Sequence, residues 1–354
     1  MYETALKKKE TINHKIGQIN EGINVNVSEC WVNHQIKEST KDMNIAAGDG
    51  SINKRKFVPF IFYAIDAEVI LHTPEGNKRI ISSDIDIISH HKYVEDRLRN
   101  YMGILEIRNG LKLFNEYPVD FFLFDGSILG NLIRPLPIEK ELNDFVKSKL
   151  RNNFQRVLLS GIVNELNNNE EPKVLSSELF ASIKDEFEDY TGAMIYLETL
   201  ESLLSIAEFL RYNKKIVAVS KTSTSYEYFN EKIPDMAIFD MHSKKQGYSK
   251  PRYMHGTEIK REFPIGNFLQ GLAFTVFYAR LDDNKNILKF ELPYHASEED
   301  IQKLLSNIKQ ITAEGYPLLL KMAHDDVVIR RNDLENLSTI VGVDEKTGRE
   351  MLNE

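Results

Sequence analysis

The sequence predicts an α/β fold with a mixed central sheet, preceded by an N-terminal helical arm and interrupted by a long helical insertion. Three observations lead there. From Met43 onward, short apolar β-branched runs alternate with segments whose apolar residues recur at helical spacing. Residues 1 to 38 are polar, with Ile16, Ile19, Ile23 and Val27 at helical spacing as a thin stripe, the pattern of an arm rather than a core. Residues 137 to 212 carry amphipathic helical patterns almost without a break. The chain therefore divides into an arm, residues 1–40, and a main unit, residues 41–354, with the insertion at 137–212 inside it.

The elements follow in order. Asn44 to Ser51 reads as a short buried strand entering a turn, and the run Phe57 to Leu71 as the strand returning from it. Lys78 to Ile88 reads as a third strand despite its Ser-Ser-Asp polarity. His90 to Tyr117 has helical spacing through Val94, Leu98, Tyr101, Leu105 and Leu111. A fourth strand covers Val119 to Ser127. After the insertion, broken at Asn167 to Pro172, Lys214 to Lys221 is continuous, apolar and β-branched. Segments 234–241, 271–281 and 287–293 are further strand candidates. Two helices close the chain: one opens with the Ser297-x-x-Asp300 capping box, and the other follows the turn Gly315-Tyr316-Pro317.

Strand, strand, strand, helix, strand, helices, strand, helix is the order used by an RNase H-like fold. No internal repeat interrupts it. Composition excludes other classes. Of 354 residues, 42% are hydrophobic and 28% charged, which fits neither disorder nor a membrane protein. The richest apolar run, Phe57 to Leu71, contains Asp66 and Glu68, and no apolar segment follows the charges at the start of the chain. A cytoplasmic protein is expected. The single cysteine, Cys30, permits neither an internal disulfide nor a thiolate metal site. Any metal must be held by oxygen or imidazole. The net charge of −8 argues against wholesale adhesion to nucleic acid but leaves room for a local basic groove. Basic residues gather at Lys54 to Lys56, Lys147 to Arg156, Lys214 to Lys221 and Lys244 to Arg261, each also explicable as solvated surface.

That element order gives the acidic residues meaning. Asp49 falls at the end of the first strand, Glu106 inside the first helix of the sheet unit, and Asp125 at the end of the fourth strand; in an RNase H-like fold these three positions converge. Carboxylates suit that place, because two divalent ions about 4 Å apart need hard oxygen ligands to clamp the attacking and leaving oxygens of phosphodiester hydrolysis. Asp-Gly-Ser alone is ordinary turn chemistry. Here it occurs twice, at Asp49-Gly50-Ser51 and Asp125-Gly126-Ser127, each after an apolar run. Glu106 sits among apolar neighbours and needs a partner, for which a metal would serve; otherwise it is a solvated surface glutamate. Lys221, at a strand's C-terminal end, is placed to meet a phosphate, although alone it reads as an exposed lysine. His324, near the start of the last helix, is a candidate to ligate metal or orient water, or else a satisfied core histidine. His90-His91 and Glu291 with His295 read as structural.

Taken in order, Ala46 to Ser51, the glutamate nineteen residues before Asp125, Phe124 to Leu129, Val219 to Ser223, Phe277 to Leu281 with Phe290 to Pro293, and Gly315 to His324 resemble the NurA family of nucleases. The resemblance spans Met43 to Arg331 and matches the arm and the helical middle by position only. It implies an RNase H-like fold and a metal-dependent DNA nuclease, with 5′ to 3′ exonuclease action on single- and double-stranded DNA and endonuclease action on single strands. It also implies a role in DNA end resection and double-strand-break repair, manganese as cofactor with magnesium as the alternative, in two ions, an annular homodimer that threads DNA, and partnership with the hexameric ATPase HerA. Asp49, Glu106 and Asp125 become metal ligands, Lys221 a phosphate contact and His324 an active-site residue, while Tyr278 and Phe290 to Pro293 take structural or DNA-contacting roles. The long middle between Asp125 and Lys221 departs from the pattern and bears on the shape of the substrate channel. Two rivals remain open: an actin-like ATPase or kinase cradling phosphate in the two Asp-Gly-Ser turns, and a catalytically silent scaffold using the arm.

Overall fold

The computed structural model describes residues 1–20, 25–135, 138–261 and 263–343. Helix α1 (Tyr2–Asn20) leads to the edge strand β1 (Trp31–Asn33), and then to three long antiparallel strands, β2 (Ile45–Lys56), β3 (Ile61–Thr73) and β4 (Gly76–Ile88). Helix α2 (Val94–Glu116), strand β5 (Phe121–Asp125) and the short α3 (Ile128–Ile133) follow. The insertion comprises α4 (Ile138–Glu141), α5 (Asp144–Asn168), α6 (Phe180–Glu186) and α7 (Tyr190–Phe209). The chain returns to the sheet in β6 (Ile216–Ser220), leaves it for α8 (Asp235–His242), and re-enters as β7 (Gly247–Ser249), β8 (Arg252–His255), β9 (Ala273–Arg280) and β10 (Leu288–Leu292). Helix α9 (Glu298–Lys309), the small hairpin β11 (Thr312–Ala313) and β12 (Tyr316–Pro317), α10 (Leu318–Val327) and α11 (Arg331–Ile340) complete it.

One mixed sheet runs in the order β1-β7-β9-β10-β6-β5-β2-β3-β4, with β8 added alongside β9. Among the described strands only β2 with β5 and β5 with β6 are parallel. Those central strands are buried on both faces, and alternation sorts their side chains. Ala46, Phe122, Phe124, Ile216 and Ala218 enter the core shared with α5 and α7. Ile45, Ala47, Phe121, Leu123, Val217 and Val219 enter the core shared with α9 and α10. The result is a helix–sheet–helix sandwich.

Three expectations need correction. The arm is helical over Tyr2–Asn20; Val27 packs in a short 3₁₀ turn with Trp31, and Trp31–Asn33 belongs to the sheet through β7. Ile23, the fourth member of the predicted stripe, lies outside the described residues. Residues 235–242 form a helix rather than a strand, because Pro234 begins it and Ile238 with Phe239 bury one face against Trp31 and Tyr278. Asp49 does not end a strand. Strand β2 runs on to Lys56 because every residue from Ile45 to Lys56 pairs with β3, so Asp49-Gly50-Ser51 is extended backbone and not a turn.

Candidate active site

Asp49 nevertheless sits at a boundary. The parallel pairing of β2 with β5 ends at Gly48 opposite Phe124, one residue before Asp49 on one strand and Asp125 on the other. Both carboxylates therefore emerge where the two central strands part. Behind them lies α2, whose close approach depends on glycine: a Cβ on Gly50 would fall 2.6 Å from Met102 Cγ. Met102 is one helical turn before Glu106, so the contact that needs Gly50 also sets the depth of Glu106.

Asp125 closes β5 and is followed by a true turn. Gly126 takes φ +115°, a conformation side chains disfavour, and donates its N–H to Val219 O at 2.9 Å. Ser127 caps α3 by accepting from Gly130 N at 2.8 Å. Glu291, buried on β10, accepts from Ser127 Oγ at 2.7 Å, Leu129 N at 3.0 Å and Lys289 Nζ at 2.9 Å. That glutamate, read from sequence as structural, pins the turn that presents Asp125. His295 is apart from it, stacked on Tyr253 with ring centroids 4.2 Å apart.

The electrostatics are those of crowded carboxylates. Glu106 is 5% exposed and its Oε1 has no hydrogen-bond partner; burial first, then the charges of Asp49 and Asp125, push its pKa well above the usual carboxylate range. Burial also raises Asp125, as does Asp49, while Lys221 and His324 oppose the rise. Lys221 Nζ lies 2.9 Å from Asp125 Oδ2. Burial alone would lower the lysine, but the hydrogen bond and charge of Asp125 outweigh it and the pKa rises. The ammonium sits 5.0 Å from the centre of the Tyr316 ring, whose phenol is pushed up to about 12 by burial and by Asp125. His324, 53% exposed at its side chain on α10, places Nδ1 2.7 Å from Asp49 Oδ2.

All five predicted residues thus gather where β2 and β5 part. Among the described residues, no three His, Cys, Asp or Glu side chains yet converge as a finished ligand set. Asp49 is turned to His324 and Asp125 to Lys221. The donor chemistry still fits a hard divalent cation: three carboxylates that repel one another, one with a buried oxygen lacking any donor. Sequence reasoning missed Tyr316 and the brace beside Asp49. There Glu68, directly opposite Asp49 on β3, binds Arg79 at 2.8 Å, and Arg79 binds Asp326, two residues beyond His324, at 2.6 Å. The available signal was Glu68 itself, an acid inside the richest apolar run.

The chain is 29% identical over 376 aligned positions to a probable DNA double-strand break repair nuclease NurA of Methanocaldococcus jannaschii, covering 99% of this chain and 92% of that one. A crystal structure of the NurA nuclease of Sulfolobus solfataricus superposes with a TM-score of 0.73 at 22% identity, covering 97% of this chain and 95% of the other. A NurA bound to dAMP and manganese superposes with a TM-score of 0.66 at 15% identity, covering 99% and 98%. The fold is theirs. Residues 43–329, which hold every site residue described above, match the NurA domain model, and the chain belongs to the NurA family.

Proposed function

We propose that the protein is a metal-dependent DNA nuclease whose centre is Asp49, Glu106 and Asp125, with Lys221 and His324 beside them. One observation carries the reading: carboxylates from β2, α2 and β5 meet where two parallel strands part, Glu106 being buried with an unpartnered oxygen against the charges of Asp49 and Asp125, and Lys221 paired with Asp125 at 2.9 Å. The strand order β4-β3-β2-β5-β6, antiparallel then parallel, supports an RNase H-like classification. Residues 41–354 form the nuclease unit, with 137–212 inserted and the arm before it.

The ligands are hard oxygens, so Mn²⁺ is the expected cofactor and Mg²⁺ the alternative, in two ions held by Asp49, Glu106 and Asp125. The manganese-bound relative supports that choice. When bound, such ions supply charge at the scissile phosphate and activation of the attacking water. The chain's own groups do the rest. Lys221 presents its ammonium to phosphate charge once Asp125 turns to metal. The His324 imidazole holds Asp49 from its exposed side, and Glu106 lies buried beneath the site. Family resemblance extends the reading to 5′ to 3′ exonuclease action on single- and double-stranded DNA, endonuclease action on single strands, and end resection in double-strand-break repair. It extends further to a homodimer working in the cytoplasm with a HerA-type hexameric ATPase. Among the described residues no helix is long and apolar enough to cross a membrane.

The actin-like alternative loses its support, since it requires two phosphate-cradling Asp-Gly-Ser turns and one of them is mid-strand. The test is cleavage of 5′- and 3′-labelled linear DNA in EDTA, Mg²⁺ or Mn²⁺. Metal-dependent shortening is expected, with its direction given by the labels, and Asp49→Asn or Asp125→Asn should lower it at least a hundredfold without changing the melting temperature much. Comparable activity in either variant removes the assignment.

A further inference from the structure

The molecule holds an open groove of about 960 Å³ that the chemistry above does not use. None of the five site residues lines it; its wall comes nearest them along the chain at Ser127, two residues after Asp125, and at Ser220, one before Lys221. From there it runs along the hydroxyl-rich loop Thr222 to Tyr226 to the edge strand β8. That loop is held in place. Ser223 Oγ meets Tyr278 OH at 3.1 Å, Ser225 O accepts from Asp235 N at 2.9 Å, and the buried Asp235 carboxylate accepts from Tyr228 N at 3.0 Å and Phe229 N at 3.1 Å. A preorganised loop with exposed hydroxyls loses little entropy on meeting a ligand.

The rest of the wall narrows the ligand class. Arg134 is exposed and has no ion-pair partner among the described residues; Arg252 is exposed with its guanidinium over the Tyr228 ring at 5.3 Å. Lys289 is neutralised by Glu291, and Glu258 is occupied in accepting from His255 N at 2.7 Å. Two cations, Arg134 and Arg252, facing two exposed acids, Glu227 and Glu258, make a short and nearly balanced electrostatic footprint, too small for a duplex backbone. Two aromatic rings face the groove as well. Tyr226 is 42% exposed, and Tyr253 is 46% exposed although backed by His295. Stacking faces, a few phosphate contacts and many hydroxyls are what an unpaired strand requires and a duplex cannot use.

We infer that this groove binds a few nucleotides of unpaired DNA strand adjoining the scissile phosphate, with Tyr253 as a base platform and Arg134 and Arg252 as phosphate contacts. The inference deepens the nuclease reading and rests on it. It assigns strand selection to β8 and the β6–α8 loop, away from the carboxylates.

The test separates binding from cleavage. A fluorescent single-stranded oligonucleotide, and the same sequence as a blunt duplex, are titrated with the full-length chain in EDTA, and KM and kcat are measured in Mn²⁺. Tyr253→Ala should weaken single-strand binding roughly tenfold, the loss of one stacked base, while Tyr253→Phe retains it. Arg134→Ala and Arg252→Ala should each flatten the salt dependence of log Kd by about 0.7. All three should raise KM with kcat little changed, and duplex affinity should barely move. If the wild type cleaves but single-strand affinity and KM are unmoved in Tyr253→Ala and in the arginine variants, the groove is refuted and the nuclease reading stands. Strand binding that depends on Tyr253 and Arg252, without cleavage under any metal, keeps the groove and overturns that reading. Absence of both overturns the two together.

Discussion

A buried carboxylate oxygen with no donor in reach costs a folded protein stability, and Glu106 Oε1 is such an atom, set against the charges of Asp49 and Asp125. Its presence makes sense when a cation compensates it. Glu106→Gln removes the repulsion and is expected to stabilise the metal-free protein by roughly 1–3 kcal/mol, read as a higher melting temperature, while lowering cleavage at least a hundredfold. Mn²⁺ should raise the melting temperature of the wild type, because it binds only the folded state, and should not raise that of the variant. Thermal melts with and without EDTA decide it; a variant less stable than the wild type without metal would contradict the account. At this scale the sequence was informative for a physical reason. An acid among apolar neighbours, as at Glu106, or at the end of an apolar run, as at Asp125, is expensive and visible. Tyr316 was not, since a tyrosine beside Gly-Pro turn residues is unremarkable until the fold lays Lys221 over its ring.

At the scale of elements, α2 carries the argument, because it brings Glu106 to the sheet over Gly50. Gly50→Ala forces its Cβ against Met102 Cγ, so the helix must shift or Met102 must repack. The expected outcome is a loss of activity of tenfold or more with folding retained, and partial recovery in Gly50→Ala/Met102→Ala, measured as kcat on labelled DNA. If both variants cleave like the wild type, the glycine does not set the helix. The other side of α2 is tied to the insertion by Arg108, which pairs with Glu201 of α7 at 3.0 Å and Glu165 of α5 at 3.4 Å. Burial raises the pKa of Glu165 to about 7 from 4.5, with Glu201 adding to the rise and Arg108 opposing it. The folded state therefore holds a proton that the unfolded chain has released, and this group's contribution to stability falls as pH rises from about 4.5 toward 7. The melting temperature of Glu165→Gln minus that of the wild type should increase across that window. A flat difference would mean that Glu165 is ionised throughout. The elements the sequence concealed share one property. The helix at Asp235–His242 is two turns of apolar residues bounded by Pro234, and so short a run has no resolvable period; β1, β7 and β8 are edge or near-edge strands of three or four residues. Strand β2 misled differently. Asp-Gly-Ser is turn-like locally, and only twelve successive pairs with β3 keep it extended.

For the whole molecule, the sheet and its two cores were legible because they rest on long-range alternation of apolar residues, and the arm's helix was legible over Tyr2–Asn20, but what its stripe packs against was not. Its apolar residues Leu6, Ile12, Ile16 and Ile19 are 74%, 48%, 51% and 53% exposed, so nothing among the described residues buries the stripe that the spacing announces. A stripe without a covering core contributes little to the stability of the fold that follows it. The chain beginning at Val25 is therefore expected to melt within a degree or two of the full-length protein at matched concentration and to retain metal-dependent cleavage of free DNA. Sedimentation of both chains then shows what the stripe is for. A dimer lost with the arm assigns it to self-association, and a dimer kept leaves it to another partner. A drop of many degrees on truncation, with the oligomeric state unchanged, would instead mean that α1 packs on its own sheet and that the arm is part of the fold.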